Sequence, residues 1–376
     1  MIIQRKIEEK ILMGLSSGKV NVLFGARRVG KTFLIKKIQE QLGLKTLWIN
    51  GEDIYYQQIL QQRSVANYKR LFLNIELLVI DEAQAIPQIG KILKLIIDEI
   101  PTLKIIASGS SAFDLSNNLG EPLVGRAIWH EIFPFAQLEL KNHENLVEII
   151  AKLEERLIYG SYPDTYNLST FDEKEDYLRE LISSILLRDL LAFEGVQNSS
   201  KIMDLLKLIG FQMGKEVSIQ ELGVQLGMSK NTVEKYLDLL EKIYVLKKIG
   251  GFSKNLRKEI TKSSRWYFWD NGIRNAIIGN FKPLAFRNDI GELWENYLMT
   301  ERLKKNSYEK NHKETYFWRT YDQQEIDCIE VKNLNIEAFE FKWGTKTPKI
   351  PKAFANAYPE ARFEVISKEN YLDFVE

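Results

Sequence analysis

The chain has 376 residues, 45% of them apolar and 27% charged, with a formal net charge of +1. That length suits two or three packed domains, and the near-zero charge excludes a whole-molecule attraction to nucleic acid or anionic membranes, so such binding must come from local patches. The single cysteine, Cys328, excludes an internal disulfide or a zinc ribbon.

No apolar run reaches membrane-spanning length, and the opening MIIQRKIEEK has no signal-peptide core, so the expected setting is cytoplasmic, with no membrane partner. Along the first third, VNVLF (20–24), KTLWIN (45–50), ELLVID (76–81) and LKIIAS (103–108) read as strands. TFLIKKIQEQL and IGKILKLIIDEI read as helices between them. Buried strands alternating with helices predict an α/β domain with a parallel sheet.

GARRVGKT follows the first strand and opens the first helix. Two glycines, a lysine and a hydroxyl at this spacing make a phosphate-binding P-loop: backbone N–H groups wrap the phosphates, and the helix dipole adds positive potential. Gly25, Ala26, Arg27, Arg28, Val29, Gly30, Lys31, Thr32 and Phe33 are therefore the expected ATP contacts. Lys31 neutralises the β/γ-phosphates and Thr32 offers its hydroxyl to Mg²⁺.

The strand in LLVIDEAQ ends in two carboxylates. Asp81 is expected to hold Mg²⁺, directly or through water, and Glu82 to orient the attacking water. A helix cap followed by a first-turn acid is the plainer reading of that pair alone; the upstream P-loop decides against it. In IIASGSS, Ser110 is the expected polar group near the γ-phosphate, with Ser108 and Ser111 close by. Arg126 and Arg188 are the candidate arginines for the transferring phosphoryl group.

From about 145 to 246 the signals are helical. SIQELGVQLGMSKNTVEKYLDLLEKIYVLKKI (218–249) reads as helix-turn-helix plus wing, with Ser218 and Ser229 as caps and Val233, Leu237 and Leu240 as the buried stripe. Lys247, Lys248, Lys254, Arg257, Lys258, Lys262 and Arg265 form a basic stretch suited to DNA phosphates. A protein-packing module with a solvated basic loop is the other reading.

The last third opens with a helix, GELWENYLMTERLKK, followed by strands in TYFWRT, QEIDCIEV, IEAFEFKW and RFEVIS. If Val331 pairs with Ile336, the middle two form a hairpin in which Asp327 faces Glu340, Glu325 faces Lys342, and Ile326 and Cys328 face Phe341 and Phe339 on an apolar side. Two facing carboxylates repel and call for a cation. Lys342 supplies part of that; a divalent metal would supply it fully. A wet charged face is the alternative.

Together GARRVGKT, LLVIDEAQ, SGSS, GRAIWHEIFPFAQLEL, YGSYPD and ELWENYL…EIDCIE…FEFKW resemble AAA+-type ATPases of bacteria and archaea built from a P-loop domain, a winged helix and a restriction-endonuclease-like end. The resemblance implies ATP binding and three modules, placed at 1–140, 141–270 and 271–376. The C-terminal pattern resembles PD-(D/E)xK nucleases, which implies Glu295, Asp327 and Glu340 as metal ligands and Lys342 as the catalytic lysine; no proline precedes Asp327 as that pattern would have it. The expected function is Mg²⁺-dependent ATP hydrolysis coupled to the later modules, acting on DNA. The alternative is a nucleotide-sensing DNA- or protein-binding regulator with little hydrolysis and an inactive nuclease fold. Oligomeric state stays open.

Overall fold

The computed structural model describes residues 2–109, 123–185, 199–253, 264–345 and 347–376, and these fall into two compact units. The first comprises residues 2–133 with Lys242–Tyr244. Its sheet contains β1 (Val20–Gly25), β2 (Thr46–Asn50), β3 (Leu77–Asp81), β4 (Lys104–Gly109) and β5 (Ala127–Ile132), in the order β2-β3-β4-β1-β5. Every pairing is parallel. The expected strands form where the apolar runs lie, because β1, β3 and β4 are buried nearly throughout. The helix Ile89–Glu99 turns Ile89, Ile92, Leu93, Ile96 and Ile97 into the core shared with β1, β3 and β4. Strand β5 was not expected. AIWHEI lacks a continuous apolar run, and its buried His130 is accommodated by a 2.8 Å hydrogen bond to the Asn21 side chain.

The second unit comprises residues 134–241 and 245–376. It holds a seven-stranded mixed sheet: β6 (Glu216–Val217), β7 (Leu246–Gly251), β8 (Ser264–Phe268), β9 (Glu314–Arg319), β10 (Glu325–Lys332), β11 (Asn335–Phe341) and β12 (Arg362–Ile366). The order is β12-β11-β10-β9-β7-β8-β6. The boundary expected at 270/271 has no counterpart in this sheet. Strand β7 pairs with β9, Gly250 against Tyr316 and Gly251 against Phe317, so main-chain hydrogen bonding runs across it. Phe252 extends the join by packing on Tyr316 and Tyr358.

Helices Ile219–Leu226 and Lys230–Lys242 form as the capping residues predict. The Ser218 hydroxyl accepts from Glu221 N–H, the Ser229 hydroxyl accepts from Thr232 N–H, and Gly227 takes the left-handed turn at φ 59°. Val233, Leu237 and Leu240 are buried.

The segment YGSYPD has a structural explanation. Gly160 sits at φ 71°, and a Cβ there would collide with the Asp270 carboxylate. That carboxylate is committed: it accepts from Ser161 N–H at 2.7 Å and from Ile273 N–H at 3.2 Å, capping helix Asn271–Ile278. Asn275 completes the clasp by donating to the carbonyls of Leu157 and Ile158. Gly160→Ala meets both a disfavoured backbone region and a steric block, so a loss of about 1–3 kcal/mol is expected. Chemical denaturation checks this; an unchanged midpoint would show that the clasp yields.

Candidate functional site

Because β1, β3 and β4 are parallel, their C-terminal ends share one edge, and the nucleotide-type residues gather there. The chain leaves β1 at Gly25, whose φ is 146° and whose missing Cβ would strike the carbonyl of Ile132 on β5. Arg28 and Gly30 take left-handed conformations, φ 58° and 92°, folding the loop back before helix Lys31–Leu42 begins. Lys31 is buried, and its ammonium donates to the carbonyls of Gly25 and Ala26 at 2.9 and 2.8 Å.

Asp81 closes β3. Thr32 Oγ1 donates to its Oδ2 at 2.9 Å, and Ser108 Oγ, on the intervening strand β4, donates to its Oδ1. The hydroxyl and the carboxylate proposed for Mg²⁺ therefore meet at one point, a donor set of hard oxygens that suits that ion. Glu82 follows at φ 51° and ψ 45°, and its carboxylate accepts from Gln84 Nε2 at 2.5 Å. Gly51 N–H donates to Asp81 O at 2.7 Å, and a Cβ at Gly51 would meet the Glu82 carbonyl. The peptide carrying both acids is thus gripped from β2.

Two residues here escape local sequence reading. Arg5, buried, donates to Val29 O at 3.1 Å and Phe133 O at 2.6 Å, tying the P-loop to the end of β5. Gln84 holds Glu82. Gln84 closes LLVIDEAQ, where only the two acids carry expected roles, and Arg5 lies in no motif and meets its partners only through the fold.

Arg126, expected to act in cis or from a neighbouring copy, does not reach its own P-loop. It immediately precedes β5, and β5 runs parallel to β1 with Val20 opposite Ala127 and Gly25 opposite Ile132. Arg126 therefore stands at the opposite edge, about 17 Å of strand from its own P-loop. It pairs there with Asp98 at 2.7 Å. Ser110, Ser111 and Arg188 lie outside the described residues.

The second unit assembles the expected acid cluster. Val331 pairs with Ile336 and Cys328 with Phe339, as the hairpin reading requires, around a turn at Asn333 and Leu334 with φ 49° and 73°. Asp327 and Glu340 are buried, while Glu325 and Lys342 on the same face reach solvent, so the face is dry at its centre and wet at its rim. Lys342 Nζ donates to Glu340 Oε1 at 2.6 Å, and Asp327 Oδ2 accepts from Phe341 N–H at 2.8 Å. Glu295 Oε1 accepts from the Tyr267 hydroxyl at 2.7 Å. A register shift against β9 between Ile326 and Ile329 changes one detail: Ile326 joins Ile329 and Ala338 in one core cluster, not the Cys328 side.

Arg265 is a correction. Far from tracking phosphates, it is 3% exposed and enters the acid cluster. Its Nη2 lies 2.8 Å from Glu325, and its Nη1 lies 3.6 Å from Glu295 and 3.7 Å from Asp327. Lys247 pairs with Glu241 at 3.0 Å, and Lys248 lies over the Trp266 ring. Lys254, Arg257, Lys258 and Lys262 lie outside the described residues.

Burial and the nearby Asp327 push the Glu295 carboxyl up to about 8; burial and the facing Glu340 push Asp327 up to about 7. An acid raised on folding stabilises the folded state while protonated and loses that contribution as pH rises through its folded value. The second unit should therefore lose stability between about pH 4 and pH 8 through these two groups. Thermal melting of the chain against an Asp327→Asn/Glu295→Gln variant isolates the effect: the variant should show the shallower decline, and equal slopes would contradict the assignment.

Comparison with known proteins matches residues 17–141 to a family described as an AAA domain. Two domains of unknown function, DUF8612 and DUF4143, match residues 150–284 and 290–373. An uncharacterized protein of Methanocaldococcus jannaschii is 24% identical, covering 97% of this chain and 84% of its own. One from Haemophilus influenzae is also 24% identical, covering 81% and 79%. Among solved structures, a Walker-type ATPase of Pyrococcus abyssi is 16% identical with a TM-score of 0.48, covering 73% of this chain and 96% of that one. A RuvB variant of Thermotoga maritima is 17% identical with a TM-score of 0.35, covering 65% and 89%. Among the described residues no helix is long and apolar enough to cross a membrane. Residues 17–141 thus match an AAA domain, and they carry a P-loop on a parallel sheet, with the loop and the acid-bearing strand ending at one edge.

Proposed function

We propose that the chain binds ATP with Mg²⁺ at the Gly25–Thr32 loop and hydrolyses it. The observation that carries this reading is the meeting of Thr32, Asp81 and Ser108 beside a loop that already cradles the Lys31 ammonium. Lys31 exchanges its two carbonyl partners for phosphate oxygens, while loop N–H groups and the helix N-terminus hold the rest of the triphosphate. Thr32 and Asp81 would hold Mg²⁺, which would supply neutralising charge to the phosphates. Ser108 keeps the Asp81 carboxylate aimed at that point. Glu82 accepts a hydrogen bond from the attacking water once it exchanges its contact with Gln84 for one with water.

Nucleotide state is coupled, in this proposal, to the second unit through Lys242–Tyr244. These residues pack as part of the nucleotide unit, yet they join helix Lys230–Lys242 to β7 along the chain. The Tyr244 hydroxyl donates to Glu131 at 2.7 Å, and its ring lies 6.4 Å from that of Phe24, the residue before the P-loop. In the second unit, the helix pair with β6, β7 and β8 supports a winged-helix reading. Helix Ile290–Glu309 with β9–β12 supports a nuclease-like fold. DNA contact rests on Lys248 and on the charges at Lys254, Arg257, Lys258 and Lys262; a protein partner is the alternative, and a steep fall of DNA affinity with salt separates the two.

Lys31→Ala should lower ATP affinity about tenfold or more, while Glu82→Gln should bind ATP nearly as well and lose about a hundredfold or more in turnover. Equilibrium binding and phosphate release measure the two effects; normal hydrolysis by Lys31→Ala rules out the site. For the coupling, ATP should change amide hydrogen exchange in residues 230–251, and Tyr244→Ala should abolish that change while keeping ATP binding. No response of that segment to nucleotide in the unaltered chain removes the coupling proposal.

A further inference from the structure

Three carboxyl groups, of Glu295, Glu325 and Asp327, face one buried guanidinium, while Lys342 holds the fourth, Glu340. We propose that Arg265 is the resident counter-cation of this cluster and stands where a divalent metal would have to bind, so that the sheet forms a closed ionic joint and not a metal-dependent nuclease centre.

Arg265 is 3% exposed and comes from β8, whereas Glu325 and Asp327 come from β10 and Glu295 from helix Ile290–Glu309. Its two terminal nitrogens face three carboxylates, at 2.8 Å for Glu325, 3.6 Å for Glu295 and 3.7 Å for Asp327. The guanidinium carbon lies 4.6 Å from the Phe317 ring centroid, which supports the plane of the group and its charge. One oxygen of each carboxyl group expected to hold a metal is already hydrogen-bonded. Asp327 Oδ2 accepts a main-chain N–H, Glu295 Oε1 accepts the Tyr267 hydroxyl, and Glu340 Oε1 holds Lys342. Glu340 Oε2 is buried without a hydrogen-bond partner among the described residues, and Asp327 Oδ1 has the Arg265 guanidinium 3.7 Å away, in the space a cation would take. Among the described residues no group of three His, Cys, Asp or Glu side chains is placed to hold a metal. An arginine keeps its charge at any working pH, so it cannot make room for a dication by losing a proton; it would have to leave a buried position. The ligand set expected from the sequence does not fit the metal in this chain.

The test uses the full, nucleotide-free chain and counts bound Mn²⁺ by the loss of the free-ion electron paramagnetic resonance signal, up to millimolar metal. Asp327→Asn is the control that subtracts ions held elsewhere, including at Thr32 and Asp81. The unaltered chain and Asp327→Asn should bind the same number. Arg265→Met should bind one further Mn²⁺, and Arg265→Met/Asp327→Asn should lose it. Arg265→Gln, which keeps polarity without charge, replaces Arg265→Met if circular dichroism shows that the latter is unfolded. An Mn²⁺ in the unaltered chain that Asp327→Asn abolishes overturns the inference. So does a folded Arg265 variant that gains no Asp327-dependent ion, since the guanidinium is then not what excludes it.

Discussion

Asp81 is held by hydroxyls from two different elements, Thr32 at the start of a helix and Ser108 on the neighbouring strand, and the geometry of the nucleotide unit follows from that bridging. A carboxylate at the rim of an apolar sheet is costly unless hydrogen-bonded, and here each oxygen has its own donor. The bridge works only if β1, β3 and β4 run the same way and end at the same edge. It also requires backbones to pass within van der Waals limits at Gly25 and Gly51, where side chains would strike the Ile132 and Glu82 carbonyls. The loop, the acids and the glycines are one steric and electrostatic solution.

The second unit solves a different problem, the placing of charge inside a sheet. Glu330 is nearly fully buried, yet Arg302, Lys313 and Asn306 all reach its carboxylate at 2.6–2.8 Å. Arg265 does the same service on β10's other acids. Such pairs add little net stability against an apolar replacement, but removing one partner strands the other in a medium that cannot solvate it. They therefore fix which strands meet. The join of β7 to β9, which involves only two residue pairs, gains a second connection where Arg265 of β8 reaches Glu325.

Much of this was legible in the sequence, and the division between what was and was not has a physical basis. The P-loop and the Ser218 cap depend on residues a few positions apart, so spacing reports them, and the P-loop in turn gives Asp81 its meaning from 49 residues upstream. The hairpin register was legible because a two-residue turn leaves one pairing that keeps Phe339 and Phe341 on an apolar side, where both rings meet Phe374. Strand β8, SRWYF, was hidden by the basic residues before it, and β5 by His130 and Glu131. Arg5, Arg126 and Arg265 were least legible of all. An arginine's long side chain takes its meaning from whatever the fold brings within reach, and nothing near it in the chain announces whether that is a phosphate, a surface acid or a buried one.

Cys328 offers a natural window on these arrangements. It is the chain's one thiol and has no measurable exposure, lying on β10 between Asp327 and Ile329. Burial, followed by the negative charge of Glu330, pushes its titration well above the ordinary thiol range, so almost none is thiolate at neutral pH. Modification by a thiol reagent therefore waits for β10 to part from its neighbours. Its rate in excess reagent becomes a clock for opening of the central hairpin, readable in the unaltered chain without an introduced label.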